Sequence, residues 1–530
     1  VSGTSARTEL ALSGALPTPG ISLDGLALWL LVGSVVVLLG VAAVRLSIRS
    51  GLPSLLIYLA IGLLLGDGVL GIRYDNALLT EVLGYAALTL ILVEGGVTTE
   101  WRGIRRSIAP AVSLATVGVL VSVAVVTVAA HLLLGIPWEI ALVIGAVLAS
   151  TDAAAVFSVL RRMPLPRRLA GILEVESGLN DPPVVILVVL FSLRAAGLSD
   201  DRGWGTIALI AAGELIGGAL IGLAIGWIGG QVLKRLAGST ATIFAIGVVA
   251  VAVLAYGVAA VAHTSGFIAC FLAALVLGNL DLPHRASFLG LSTALGWLAQ
   301  IGLFVLLGLL ASPKDFGAQI VPALVLGTVL LLVARPLSVF LSCAPFRLPW
   351  REHAFLSWAG LRGAVPVVLA TVPTVLGIPG LDWLFDLVFV LVVIFTLIQA
   401  PTLPFVARAL GVTACHHEVD LAVESTSLDE LGADLLEVEV GPGSRLAGIE
   451  VQELRLPAEA NVALIVRDKS SFVPAPTTVL RRVDRLLIVV PTAQRRATTK
   501  RLYAVSREGR LAGWIRPEVP PRPSTRDRQA

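Results

Sequence analysis

Leu169-Ala170-Gly171-Ile172-Leu173-Glu174-Val175-Glu176-Ser177-Gly178-Leu179-Asn180-Asp181-Pro182-Pro183, running on apolar through Phe191, is the stretch that decides how this chain is read. As a helix from about Ala170 to Leu193 it is long enough to cross a bilayer. It nevertheless carries three carboxylates, an amide and a hydroxyl. Asp181 falls about 16 Å from the helix start, near the middle of a ~30 Å hydrocarbon core, where a charge costs several kcal/mol unless it is paired or hydrated. Helical spacing sets Glu174, Ser177, Gly178 and Asp181 on one face, with Glu176 and Asn180 roughly opposite. Pro182 and Pro183 have no amide hydrogens, so the carbonyls of Gly178 and Leu179 go unpaired just behind Asp181. A carboxylate, a hydroxyl and free carbonyls at mid-membrane are hard oxygen ligands for a small cation, and the carboxylate can take a proton instead. The plainer reading is a buried polar knot that holds helices together.

The rest of the chain is a suitable setting for such a helix. Of its 530 residues, 56% are hydrophobic and 14% charged, against roughly 25% charged in soluble domains. Apolar runs fall near 25–45, 52–67, 80–97, 107–131, 138–158, 170–193, 206–231, 241–261, 264–280, 289–311, 317–343, 352–376 and 383–405, thirteen in all. The fold class predicted is therefore an all-α polytopic membrane protein with 13 transmembrane helices. Alternate loops carry Arg45 and Arg49, Arg102, Arg105 and Arg106, Arg161, Arg162, Arg167 and Arg168, then Lys234 and Arg235, Arg285, and Arg347 and Arg351. The opposite loops hold only Arg73, Arg194, Arg202 and Lys314. The positive-inside rule puts the N-terminus outside and the C-terminus in the cytoplasm. A net charge of +3 gives no argument for nucleic acid. Cys270, Cys343 and Cys415 are far apart and read as thiols, not as a disulfide or metal set.

Three other spans carry ionisable groups. The third contains Glu94, read either as a snorkelling acid or as part of a water path. In the fifth, Ser150-Thr151-Asp152 competes with the backbone for hydrogen bonds and is a plausible break in the helix, with Asp152 as cap, ligand or both. The twelfth contains Gly360-Leu361-Arg362-Gly363-Ala364-Val365-Pro366, which makes a second interrupted helix. Arg362 near the midplane needs an anion; Glu174 and Glu176 are the candidates, and Glu174 is the predicted partner. One interrupted span in each half suggests inverted repeats with the site where they cross.

Beyond Ala409 the composition changes. Residues 1–24 read as an extracytoplasmic segment, 25–409 as the membrane domain and 410–425 as a linker. A small α+β domain over 426–492 is built from short strands around Leu436–Val440, Asn461–Val466 and Arg485–Pro491. A flexible basic, Pro-rich tail over 493–530 follows.

Thr151-Asp152, Glu174-x-Glu176-Ser177-x-x-Asn180-Asp181 and Gly360-Leu361-Arg362-Gly363-Ala364-Val365-Pro366 together resemble the signature of bacterial monovalent cation/proton antiporters of the CPA1, or NhaP, type. Thr151–Ser158, Leu298–Gly302 and Phe346–Leu348 further resemble its potassium/proton branch, the cell volume regulation proteins. Residues 426–492 are similar to the RCK_C, or TrkA-C, domain. The resemblance implies a homodimer in the bacterial cytoplasmic membrane, each protomer with a dimerisation domain and a six-helix core in which two unwound helices cross. It implies that Asp181 binds the cation or the proton and that Asp152, Thr151 and Ser177 complete the K+ or Na+ ligand set. Asn180 would hold the crossing, Glu174 would be salt-bridged to Arg362, and Glu176 and Glu94 would serve structural or gating roles. The Asn180-Asp181 pair is the family's mark of electroneutral exchange. Leu179 and Pro183 replace the Ser and Met of many members of the branch. No cofactor is required, and the C-terminal domain would take a regulatory nucleotide or cyclic dinucleotide; without a Gly-x-Gly-x-x-Gly fingerprint, a Rossmann NAD site is not expected. A sodium/proton antiporter of the same fold, a ligand-gated cation channel and a non-transporting membrane sensor are the alternatives. An enzyme has no motif in its favour.

Overall fold

The computed structural model describes residues 23–50, 53–68, 74, 76–105, 107–152, 165–198, 203–236, 240–314, 316–378, 380–381, 383–412, 421–428, 433–441, 444–457, 459–468 and 470–512. They form two compact units, a helical one through Val412 and a smaller one from Leu421 onward. Most of the predicted segment 1–24, the middle of the 410–425 linker, Cys415 and the chain beyond Ala512 lie outside the described residues.

The helical unit contains α1 (Leu23–Ser50), α2 (Ser54–Leu63), α3 (Ala77–Thr98), α4 (Ile108–Leu134), α5 (Trp138–Ala149), α6 (Arg167–Ala195), α7 (Trp204–Leu236), α8 (Ala241–Val261), α9 (Gly266–Asn279), α10 (Arg285–Leu310), α11 (Phe316–Phe346), α12 (Trp350–Trp358), α13 (Ala364–Val375) and α14 (Trp383–Ala409). Among the described residues, nine helices are long and apolar enough to cross a membrane, and four shorter apolar ones (Ser54–Gly66, α5, α9 and α13) occupy the other predicted runs. α5 ends at Ser150-Thr151-Asp152, and Gly360–Gly363 separate α12 from α13 as the local sequence predicts; residues 153–158 of the predicted fifth span lie outside the described residues.

Burial separates the helices by role. α1, α7 and α8 expose apolar side chains such as Leu30, Leu38, Leu220, Trp227 and Ile243, the surface a bilayer would cover. α6 and α14 are largely enclosed. Close approach is bought with small residues: Gly218, Gly222 and Gly226 of α7 lie against backbone atoms of Ser265, Ala269 and Ala273, where a methyl group would overlap. α4 and α11 each contain a single π-turn, Leu114–Gly118 and Leu330–Ala334, and Ser113 Oγ donates to the Ser342 carbonyl between them at 2.9 Å. Cys270 and Cys343 are buried free thiols.

The smaller unit is a five-stranded antiparallel sheet of β1 (Leu421–Leu428), β2 (Ala433–Val440), β3 (Asn461–Arg467), β4 (Ser470–Phe472) and β5 (Arg485–Pro491), in the order β1-β2-β5-β3-β4. β2 alternates buried and half-buried residues, which puts Leu436, Val438 and Val440 on one face. Against that face lies α15 (Arg495–Glu508), through Leu502 and Val505. This corrects the predicted tail: residues 495–508 are a folded helix, and the domain runs from Leu421 to at least Ala512. Lys500 and Arg507 of α15 are exposed while Thr498, Leu502 and Val505, at helical spacing, face in, and Arg501 donates to the carbonyls of Leu454 and Ala512 at 3.0 and 2.6 Å. Arg467 clamps Asp484 with two hydrogen bonds of 2.8 and 2.7 Å. Burial raises the Asp484 carboxyl, but the Arg467 guanidinium and the Arg481 N–H outweigh it and hold the group below its ordinary value.

Candidate ion-binding site

α5 stops at Ala149 because Ser150 turns extended, with ψ at 144°. α12 stops at Trp358, and α13 restarts at Ala364. The end of α5 and the break between α12 and α13 pass each other and satisfy one another's loose backbone groups. Asp152 N–H donates to the Leu361 carbonyl at 3.0 Å, and Ala364 N–H donates to Asp152 Oδ2 at 3.0 Å, so this carboxylate caps the start of α13. Gly363 makes that possible, since a Cβ there would collide with the Asp152 carboxylate. Arg362 donates to the carbonyls of Ala149 (at 3.0 Å) and Ser150, the C-terminal end of α5, where the partial charge of a helix is negative. Thr396 Oγ1 donates to the Arg362 carbonyl at 3.0 Å, and Gln399 Nε2 donates to that of Trp358 at 3.1 Å. In a membrane every such carbonyl needs a partner, and here protein side chains supply them.

α6 runs unbroken past the crossing despite Pro182 and Pro183. Asp181 accepts a 2.6 Å hydrogen bond from Ser150 Oγ, and Asn180 Nδ2 donates to Thr151 Oγ1. Neighbouring residues of α6 thus grip the two residues that precede Asp152. All of Thr151, Asp152, Ser177, Asn180 and Asp181 are buried. Asp152, Asp181 and Glu174 line one cavity of about 30 Å³ with Gly178, Thr99 and Phe271. That is room for one bare ion or one or two waters. Thr151 and Ser177 stand behind its wall. Glu174, two helical turns from Asp181 on the same face, accepts from Thr99 Oγ1 at 2.7 Å.

Glu176 points the other way and forms a bidentate ion pair with Arg335 of α11, at 2.5 and 2.9 Å, with both side chains almost fully enclosed. Arg335 also donates to the Leu356 carbonyl at 3.3 Å, and Gly360 leaves room for its guanidinium. Arg335 follows directly on the π-turn Leu330–Ala334.

This corrects the predicted pairing of Glu174 with Arg362. Arg362 lies in the extended link between α12 and α13, where the carbonyls ending α5 are its nearest acceptors. Glu174 faces the cavity instead, and the buried ion pair belongs to Glu176 and Arg335. Glu94 is not brought to the cavity; its carboxylate lies against Gly296 of α10. Sequence reasoning missed Arg335, Ser150 as the partner of Asp181, and Thr99. Arg335 was detectable as a lone arginine inside an apolar run.

Comparison with known proteins identifies the family. Residues 34–409 match the family model of the transmembrane sodium/hydrogen exchanger, and residues 435–503 match the TrkA-C domain. The chain is 34% identical to the K(+)/H(+) antiporter NhaP of Alkalimonas amylolytica over 89% of this chain and 82% of that protein. It is 33% identical to the K(+)/H(+) antiporter NhaP2 of Shewanella sp. MR-4 over 88% and 82%. The Na(+)/H(+) antiporter NhaS2 of Synechocystis is 29% identical over 75% of this chain and 74% of that protein. Among solved structures, the sodium proton antiporter MjNhaP1 of Methanocaldococcus jannaschii has the same fold, with a TM-score of 0.63 at 20% identity, over 73% of this chain and 99% of that one. By the match over residues 34–409 and these identities, the chain belongs to the sodium/hydrogen exchanger family, of the NhaP-type cation/proton antiporters, with a TrkA-C domain following in sequence.

Proposed function

We propose that this protein exchanges one monovalent cation for one proton across the bacterial cytoplasmic membrane, with Asp181 as the group both cargoes occupy in turn. The observation that carries this is the small cavity that Asp181 and Asp152 line together, where the end of α5 crosses the break between α12 and α13. A site that holds one ion or one proton couples the two fluxes by competition, and no separate relay is needed. Asp152 supplies further oxygens to the cavity, Asn180 holds the crossing to α6 through the Thr151 hydroxyl, and Ser177 backs the wall. Exchange of one monovalent cation for one proton at one site is electroneutral, because each cargo carries a single positive charge and the protein returns with the same charge in both loaded forms.

Thirteen spans, an outside N-terminus, a cytoplasmic C-terminus and a homodimer built on the lipid-exposed helices complete the reading. Potassium is favoured over sodium because the more similar relatives carry potassium/proton names. The TrkA-C domain acts as a regulator that a nucleotide or cyclic dinucleotide biases, which stimulation of reconstituted full-length protein by either class would test. For transport, proton flux in everted vesicles from an antiporter-deficient host is followed on adding KCl or NaCl. Dequenching with KCl, absent in Asp181→Asn and insensitive to collapse of the membrane voltage, is expected. Wild-type flux in Asp181→Asn would refute the mechanism, and a response to NaCl alone would move the protein to sodium exchange.

A further inference from the structure

A second, far larger cavity lies on the other side of α6. It measures about 720 Å³ and is walled almost entirely by apolar side chains of α4, α6, α7 and α9. Its α6 wall is one i, i+4 row, Val175, Leu179 and Pro183, on the helix that carries Asp181. Facing it are Ala219 and Leu223 of α7. Phe271 belongs to both cavities, and its ring fills the space left by the missing side chain of Gly178. One aromatic ring therefore separates the ion cavity from the apolar groove.

From these observations we propose that the groove is a binding site for one acyl chain of an anionic phospholipid of the cytoplasmic leaflet. Its length fits. Along α9 the wall runs from Ile268 to Leu280, about 18 Å at helical rise, against about 15 Å for half of the hydrocarbon core. Its ends differ as a lipid's do. One end is apolar; the other holds Trp101, 49% exposed, Asn279, and the exposed Arg105 directly after the lining residue Ile104. Tryptophan and arginine at a membrane surface are the side chains that meet a glycerol backbone and an anionic headgroup. That end is cytoplasmic in the orientation proposed above, and this assignment of leaflet rests on that reading. A chain seated there touches the back of α6 and the Phe271 partition, so its presence bears on how α6 can move past α9.

The test does not depend on transport. Purified full-length protein is illuminated with a phosphatidylglycerol bearing a photoreactive group in its acyl chain, and adducts are mapped by mass spectrometry. Adducts on the α4, α6, α7 and α9 walls are expected, with the yield falling several-fold in Ala219→Trp, which fills the groove, and in Arg105→Glu, which reverses the charge at its mouth. Labelling should be competed by unlabelled phosphatidylglycerol but not by glycerol 3-phosphate. Adducts confined to the outer surfaces of α1, α7 and α8 in the wild type would overturn the proposal. So would equal competition by phosphatidylcholine, or full yield in a folded Ala219→Trp protein. Loss of antiport with these adducts intact would count against the function and not against the site.

Discussion

The ion pair between Glu176 and Arg335 gives the sharpest quantitative prediction. Arg335→Met removes both hydrogen bonds to a carboxylate that is 1% exposed and strips the Leu356 carbonyl of its side-chain donor. Breaking one partner out of a buried pair costs about 3–5 kcal/mol, and the orphaned carbonyl adds roughly 1 kcal/mol. Glu176→Gln leaves Arg335 equally stranded and should cost a similar amount. The double substitution removes both charges and should be no worse than either single one, because the penalty lies in leaving one charge alone. The coupling energy between 176 and 335 is then several kcal/mol. The same cycle on Glu174→Gln and Arg362→Met should be additive to within about 0.5 kcal/mol, since those side chains share no partner. Cys270 and Cys343 provide the assay: both are fully buried, so a thiol-reactive dye in mixed micelles, in a Cys415→Ser background, reports equilibrium unfolding. Additivity at 176 and 335 with strong coupling at 174 and 362 would refute the charge assignment.

Other expectations follow from single contacts. Gly363→Ala forces the Asp152 carboxylate off the start of α13 and should cost about 1–3 kcal/mol and most of the exchange rate in vesicles, whereas Gly317→Ala, with open space around it, should leave both unchanged. Ser150→Ala takes away the hydroxyl that donates to Asp181 and should shift the pH profile of exchange without unfolding the protein, which a pH series of vesicle fluxes would read. In the TrkA-C domain, the depressed Asp484 carboxyl contributes stability that is complete above the unfolded value near 4 and is lost as pH falls through the lower folded value. Acid unfolding followed by the circular dichroism of its sheet should therefore lose its steepest limb below about pH 4 in Asp484→Asn.

Hydropathy alone placed the helices, because a bilayer leaves little freedom in the length and polarity of a span. The crossing was legible as well. Ser150-Thr151-Asp152 and the Gly360 to Gly363 stretch contradict a continuous helix locally, and both helices end there. Which helix faces which is a different kind of information. Spacing put Glu174 and Glu176 on opposite sides of α6 but could not say that α11 lies against one of them and a cavity against the other. Gly360 and Gly363 read as helix breakers, whereas in the fold they also make room for the Arg335 guanidinium and the Asp152 carboxylate. In the C-terminal domain, charge concealed structure: Arg495, Arg501 and Arg507 suggested a solvated tail, although Thr498, Leu502 and Val505 carried the helical period.

The π-turn of α11 has a consequence for comparing this chain with others. Such a turn holds one residue more than the α-helical register would. Remove any one of Leu330 to Ala334 and the turn can close as ordinary α-helix with Arg335 still facing Glu176. If the turn closed as α-helix with no residue lost, the helix beyond would instead rotate by about 100°, and Arg335 would swing away from Glu176, carrying Ser338 and Ser342 with it. A one-residue gap within these five positions of an alignment therefore leaves the ion pair at the centre intact, whereas a gap elsewhere in α11 before Arg335 does not.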